Sequence, residues 1–234
     1  MRKSIFILLA LLAAMSLPNN ATAQNKVTFN AGADFVSSYL WRGNKLGNFS
    51  WQPYVAATYG KFTLDAWGST GFKDTELLEL DLTLTYRHKG FKIAVSDFWF
   101  TMPNSGVKYF DYSATTPHVY QAEASYDFGL FSLSWATIFA GNDGIKSNGD
   151  RAYTSYMSAK VPFSVVGFNC MAEVGVAPWE TSYMANVDGF DVCDLSLQAS
   201  RVFNIADIIR IPILGKVSYN PAIDKCYFVL GLSL

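Results

Sequence analysis

The stretch Leu78-Glu79-Leu80-Asp81-Leu82-Thr83-Leu84-Thr85-Tyr86-Arg87 decides the fold, because apolar and polar side chains alternate along it without a break. Successive side chains of a β-strand point to opposite faces of a sheet, so this alternation predicts a strand with one apolar and one polar face. After residue 23 no stretch has a convincing helical period. The same alternation recurs at Val27–Phe35, Phe62–Ala66, Tyr120–Tyr126, Phe131–Trp135, Phe168–Val176 and Phe228–Leu234.

Twelve strands are predicted along the chain, and the connectors between them alternate in length. The strands lie near residues 26–41, 51–59, 61–70, 77–88, 91–100, 118–127, 131–140, 151–161, 167–176, 190–203, 208–219 and 226–234. Short connectors such as Lys89-Gly90 alternate with long ones such as Thr101–Pro117 and Ala177–Gly189. An even strand number, with short turns and both termini at one end, is typical of an antiparallel up-and-down outer-membrane β-barrel.

The alternation does not say which face is inside, since a soluble lipocalin-like barrel turns its apolar face inward and a membrane barrel turns it outward. Two belts of aromatic residues at the strand ends favour the membrane barrel. Toward the long loops they are Tyr39, Trp41, Trp51, Trp99 and Tyr153, and toward the short turns Tyr59, Phe62, Tyr86, Phe91, Tyr126 and Phe131. The last predicted strand also runs to Leu234.

The composition and the first residues point to an exported protein. Of 234 residues, 50% are hydrophobic and only 16% are charged, whereas an ordinary domain has roughly 25% charged residues. Arg2 and Lys3, the apolar stretch Ile5–Met15 and the small residues Ala21-Thr22-Ala23 predict a signal peptide at 1–23 and a barrel domain at 24–234. The formal net charge of −1 excludes a basic nucleic-acid surface.

Three features do not fit the simple strand pattern. Pro212 lacks a backbone donor, which predicts a bulge or a late start of the eleventh strand. Asp97 shares the apolar phase, so we expect a register change near it or a position above the hydrocarbon layer. Cys170, Cys193 and Cys226 are interpreted as apolar filling, with a Cys170–Cys193 disulfide as the alternative.

The sequence offers little for catalysis or metal binding. His88 and His118 are predicted at opposite ends of the barrel, so they cannot share a site, and His118 is interpreted as an exposed rim residue. No spacing typical of zinc ligands occurs, and Gly141–Asp150 lacks the Glu of an EF-hand. The aromatic loop Thr101–Pro117 is predicted to pack on the rim, with sugar stacking or constriction of the lumen as alternatives. No enzyme activity and no cofactor are predicted.

The end of the first strand reads Ser37-Ser38-Tyr39-Leu40-Trp41-Arg42-Gly43 and resembles the Ser-x-Tyr-x-aromatic-Arg-Gly signature of the TorF-like family of outer-membrane porins. Further likeness lies in Asp65–Ser69, in Ala177-Pro178-Trp179 and in the tail from Ser218 to Leu234. The resemblance implies a porin barrel in the bacterial outer membrane. It implies no shared substrate or catalytic residue.

The predicted function is passive diffusion of small hydrophilic solutes through a narrow polar lumen. Expected partners are outer-membrane lipids, the small solutes and the outer-membrane assembly machinery, which would recognise the C-terminal strand. The alternatives are a filled structural or adhesion barrel and a membrane-barrel hydrolase, the latter favoured if His118 lies beside a carboxylate and a serine. The residues predicted to line the lumen are Asp34, Arg42, Asp65, Trp67, Glu79, Asp81, Arg87, Lys92, Glu123, Glu173, Asp194, Arg201, Arg210 and Lys216.

These lumen charges are predicted to segregate along the barrel axis. Most acidic residues fall in the middle or outer part, and most basic residues fall toward the short turns, with Arg42, Asp127 and Lys216 as exceptions. Such an arrangement would make the outer entrance attractive to cations. The alternative is that the acids and bases pair inside the barrel and brace it.

Overall fold

A computed structural model describes residues 26–73, 75–113, 116–182, 187–205 and 209–234. In these residues twelve antiparallel strands close into a single barrel, which confirms the predicted fold class. The barrel strands are β1 (Thr28–Val36), β4 (Ser50–Tyr59), β5 (Phe62–Gly71), β6 (Leu78–His88), β7 (Phe91–Thr101), β8 (His118–Asp127), β9 (Ser132–Gly141), β10 (Ser155–Val165), β11 (Phe168–Ala177), β12 (Asp191–Ile205), β13 (Ile209–Asn220) and β14 (Lys225–Ser233). The predicted signal peptide lies outside the described residues.

The two remaining strands, β2 (Tyr39–Trp41) and β3 (Asn44–Gly47), form a small separate hairpin in the first long connector. The sequence predicts one strand through residue 41, but β1 ends at Val36. Arg42 and Gly43 have φ values of 51° and 74°. These two residues make the two-residue turn between Trp41 and Asn44, as positive φ at both positions favours a tight hairpin. Tyr39 and Trp41 therefore belong to no belt on the barrel surface.

The barrel has apolar side chains on its outer face and polar side chains on its inner face, the reverse of a water-soluble barrel. On β6 the outward Leu82 and Leu84 are 38% and 48% exposed, whereas the inward Glu79 and Asp81 are only 4% and 9% exposed. The same inversion holds on β12, where Leu195 and Leu197 are exposed and Asp194 is buried. The apolar phase of the sequence therefore faces out and the polar phase faces the lumen. Among the described residues, no helix is both long enough and apolar enough to cross a membrane.

Pro212 causes neither the predicted bulge nor the alternative late start of its strand, since β13 already begins at Ile209. The register of β13 with β12 is unbroken from Leu195↔Tyr219 to Ile205↔Ile209, and Pro212 lies opposite Val202 within it. On its other side, pairing of β13 with β14 begins only at Ile213. The missing donor of Pro212 therefore lies at the end of the sheet, where a proline is tolerated.

The barrel closes where β1 meets β14, and this seam is short. The two strands pair at Asp34↔Ser233, Phe35↔Leu232 and Val36↔Gly231, and Ala33 and Leu234 exchange two further backbone hydrogen bonds, whereas β1 pairs with β4 along its whole length. Ser37 extends the seam slightly, because its backbone N–H donates to the carbonyl of Leu230 at 2.8 Å.

Candidate functional site

The hairpin β2–β3 crosses the lumen instead of standing on the rim. Its first residue, Tyr39, packs on Trp67 of β5 with ring centroids 5.5 Å apart. At its tip, the amide of Asn220 at the end of β13 donates to the carbonyl of Gly43 at 3.1 Å. Gly43 also lies against β12, since a Cβ atom there would approach the Cys193 carbonyl oxygen to 1.8 Å. The hairpin thus contacts strands on widely separated parts of the wall.

Trp41 anchors the hairpin in two small apolar clusters inside the barrel. One contains Phe98, Val119 and Ile138, and the other contains Tyr156, Ala177, Val187 and Cys193. The Trp41 and Phe98 rings meet edge to face at 6.4 Å. These clusters fill part of the lumen at the level of the hairpin, so the sequence alternation of inward polar residues is interrupted there.

Arg42 occupies the tip of the hairpin, and its guanidinium group contacts three side chains, those of Gln121, Trp41 and Tyr156. Nη2 donates to the side-chain oxygen of Gln121 at 2.7 Å. The guanidinium carbon lies 4.3 Å from the ring centroid of Trp41 and 4.8 Å from that of Tyr156. Cation–π contacts of this kind hold an arginine in one orientation. The buried Nη1 has no hydrogen-bond partner among the described residues.

Below the hairpin, on the side of the short turns, lies a polar cavity of about 470 Å³. Its wall brings together eight of the residues predicted to line the lumen, namely Arg42, Asp65, Arg87, Lys92, Glu123, Glu173, Asp194 and Lys216. It continues into a mouth of about 460 Å³ that shares Arg87, Lys92 and Glu123 with it and adds His88, Lys89 and Asp127. The cavity is therefore bounded by the hairpin at one end and by this mouth at the other.

Acidic and basic residues of the cavity wall pair with each other along neighbouring strands. Lys92 on β7 forms an ion pair with Glu123 on β8. Lys160 lies 3.5 Å from Glu173, which also accepts a hydrogen bond from the Tyr156 hydroxyl at 3.0 Å. Lys216 lies 3.8 Å from Asp194, which accepts a further bond from Ser218 at 2.8 Å. The acids and bases are mixed in this cavity, so strict segregation along the axis does not describe it.

Five further predicted lumen residues are in the inward phase but away from this cavity. Trp67 supports the hairpin through Tyr39. Glu79 and Asp81 are buried on β6, and each has one oxygen without a hydrogen-bond partner in the described part of the chain. Asp34 accepts a hydrogen bond from Ser233 across the seam at 2.5 Å. Arg210 is exposed at the short-turn end, opposite Asn204.

The structure places Arg201 on the outer face, which differs from the prediction. The register of β12 is regular from Leu195 onward, so Arg201 shares the outward phase of Leu195 and Leu197. Its guanidinium carbon lies 5.4 Å from the ring of Phe168 and 5.7 Å from that of Phe203. A long arginine side chain can cover apolar surface in this way near the end of a strand.

Asp97 also stays on the outer face, because the pairing of β7 with β6 and with β8 is unbroken on both sides of it. The irregularity opposite it, between Tyr120 and Gln121, lies in the pairing of β8 with β9. Its Oδ1 lies 2.5 Å from Nδ1 of His118, whose Nε2 lies 2.6 Å from the carbonyl oxygen of Tyr109. The ring of Tyr112 stacks on His118 at 4.5 Å. The described residues of the loop 101–117 therefore pack on the outer wall and bury His118, so the interpretation of His118 as an exposed rim residue is wrong. Tyr109 and Tyr112 lie outside the barrel with it and do not constrict the lumen.

This pair does not form an accessible acid–base site. A carbonyl oxygen only accepts, so Nε2 of His118 must donate to Tyr109, and Nδ1 faces Asp97. Both ring nitrogens of His118 are therefore occupied.

In the described ranges no three His, Cys, Asp or Glu side chains cluster closely enough to bind a metal ion. Cys170, Cys193 and Cys226 are free thiols, so the alternative of a Cys170–Cys193 disulfide is wrong.

The sequence did not reveal the role of the hairpin or the partner of His118.

No protein-family model and no curated protein matches the chain. Among solved structures it is similar to the NanC porin, with 8% identity, a TM-score of 0.45 and coverage of 88% of this chain and 98% of that one. It is also similar to an outer-membrane channel of Pseudomonas putida F1, with 12% identity, a TM-score of 0.41 and coverage of 92% and 98%. The resemblance to TorF-like porins stays a prediction.

Proposed function

We propose that the protein is a bacterial outer-membrane channel that passes small hydrophilic solutes by diffusion at low conductance. The observation that carries this proposal is the inverted burial, with leucines exposed on the outer wall and Glu79, Asp81 and Asp194 buried inside. A water-soluble barrel would expose the charges and bury the leucines. The barrel strands have nine to fifteen residues, and about 9–11 residues suffice to cross a bilayer at a tilt.

Lipid is the partner that this outer wall fits. Trp51 and Tyr153 near the long loops and Tyr59, Phe62 and Tyr126 near the short turns are all 41–52% exposed. Such aromatic belts mark the two interfaces of a membrane. Insertion by the outer-membrane assembly machinery through β14 belongs to the same proposal, because Phe228, Leu230 and Leu234 present an exposed apolar edge there.

The hairpin β2–β3 sets the width of the path. A solute entering the cavity exchanges hydration water for hydroxyl groups of Ser96, Ser134 and Ser158 and for the paired charges of the wall. To leave at the long-loop end it must pass the tip at Arg42. The mechanism is physical and needs no covalent step. A narrow gap between the hairpin and the barrel wall would give a small conductance, because the diameter and the lining residues of a pore determine its flux and selectivity.

A second candidate is a filled structural barrel of the envelope, which the contacts of the hairpin on both sides of the lumen favour. Single-channel recording in planar bilayers separates the two. We expect small conductance steps from the wild type and larger steps when residues 40–46 are replaced by a short Gly-Ser linker. A silent wild type with a conducting variant would establish the filled barrel, and silence of both, with folding verified by heat-dependent gel mobility, would exclude a channel.

A further inference from the structure

The guanidinium group of Arg42 is held in place by Gln121, Trp41 and Tyr156 but forms no direct ion pair with a described residue. Among the described residues, no carboxylate lies within ion-pair distance of it, although four line the same cavity. Three of these four, Glu123, Glu173 and Asp194, have their own lysine partners. An unpaired charge enclosed by protein is costly unless a counter-charge compensates it.

Arg42 has N–H donors without a hydrogen-bond partner among the described residues, and only an acceptor group can bind them. Nη2 donates to Gln121, and the rings of Trp41 and Tyr156 lie close to the guanidinium carbon. Nη1 is buried and has no hydrogen-bond partner among the described residues, and the partly exposed remainder of Arg42 lines the cavity. A guanidinium edge donates only, and its geometry matches an oxyanion. A cation or an apolar group would find no complement there.

The cavity wall defines the class of oxyanion. Its charged residues are Arg42, Arg87, Lys92, Lys160 and Lys216 against Asp65, Glu123, Glu173 and Asp194, which leaves one positive charge in excess. Hydroxyl groups of Thr83, Thr85, Ser96, Ser134 and Ser158 line the remaining surface. A single negative charge with several hydroxyl groups complements this wall better than a doubly charged phosphate.

We propose that the cavity below the hairpin binds small hydroxylated monocarboxylates, with the carboxylate on the part of the Arg42 side chain that lines the cavity. This inference rests on the proposed channel function for the entry of the solute through the mouth at the short-turn end. It concerns binding, however, and can be measured without conduction. Lys89 beside Arg87 and Lys92 at the mouth adds positive charge that raises the local concentration of anions.

The test is calorimetric titration of the purified barrel in detergent with gluconate and with sorbitol, its uncharged counterpart of the same chain length. We expect gluconate to bind at least about tenfold more tightly than sorbitol, which corresponds to one charge-assisted hydrogen bond. Arg42→Gln should abolish this preference. Arg201→Gln is the matched control, since that guanidinium also lies on aromatic rings but on the outer wall, and it should leave the preference unchanged.

Equal binding of gluconate and sorbitol by the wild type would overturn the inference, and this comparison needs no variant to fold. Tighter binding of inorganic phosphate than of gluconate would overturn the assignment to monocarboxylates. Preferential gluconate binding by a barrel that never conducts would refute the channel and keep the site. Conductance without any gluconate preference would refute the site and keep the channel.

Discussion

Asp97 and His118 form a polar pair on a mainly apolar outer wall, with Nδ1 of His118 2.5 Å from Oδ1 of Asp97. The side chain of His118 is completely buried and that of Asp97 is 18% exposed. Tyr109 and Tyr112 of the loop 101–117 cover the pair, which keeps it away from lipid.

Removing one partner should therefore be worse than removing both. We expect His118→Leu alone to destabilise the barrel by about 3–5 kcal/mol, because it leaves Asp97 buried without a counter-charge. Asp97→Leu combined with His118→Leu should restore most of that loss. Urea titration of the protein in lipid vesicles measures the free energies of unfolding. Simple additivity of the two single losses would contradict a coupled pair.

Gly43 allows a second test at the residue scale. Alanine there meets the Cys193 carbonyl, so Gly43→Ala should push the hairpin off β12 and raise the single-channel conductance. Gly106→Ala is the matched control, because Gly106 has a φ of 75° but no atom within 4 Å of the added Cβ. Both variants carry the backbone cost of about 1 kcal/mol. Similar conductance of the two variants would show that the hairpin does not limit the path.

At the scale of the strands, β6 offers adjacent positions with opposite environments. We expect Leu82→Arg to cost roughly 2–4 kcal/mol, because it puts a charge on the lipid face near the middle of the membrane. Thr83→Arg should be far milder, since Thr83 lines the polar cavity. Folding titration into lipid vesicles gives both values. Comparable losses at the two positions would mean that β6 is buried on both faces.

Strand bounds were predictable from alternation to within a few residues wherever the period of two was clean, as on β6 and β7. The errors have physical causes. Tyr39 and Trp41 continue the alternation of β1, so nothing in the period marks the end of that strand at Val36. Arg42-Gly43 also differs from the usual Asn-Gly or Asp-Gly hairpin turn. Arg201 is a charged residue in the outward phase of Leu195 and Leu197, so its polarity alone predicts the wrong face of β12.

The candidate site was less predictable than the fold, because its contacts join distant parts of the chain. Alternation indicates that Arg42, Glu123 and Asp194 are polar-phase residues, but it does not show that a hairpin carries Arg42 across the lumen. Likewise, the phase of Asp97 marks it as exceptional without revealing His118 as its partner. Periodicity reports on one strand at a time, whereas these pairings depend on register between strands and on where loops fold.

For the whole molecule, the orientation in the membrane follows from the loop lengths. In a background with Cys170, Cys193 and Cys226 replaced by serine, a cysteine at Asn148 should react with a membrane-impermeant label on intact cells. A cysteine at Lys89 should not, because the short turns are expected on the periplasmic side. Labelling after cell lysis is the control for accessibility. Surface labelling at Lys89 would invert the orientation.

The hairpin β2–β3 comes directly after the first strand, yet it contacts strands that are synthesised much later. The hydrogen bond between Gly43 and Asn220 joins residues 177 positions apart, and a contact of such separation forms late in folding. Because β14 completes the wall at its short seam with β1, we expect the hairpin to be enclosed as that seam closes. The N-terminal part of the barrel would then become its own filling, and the interior would be assembled by enclosure, without a later insertion through a finished rim.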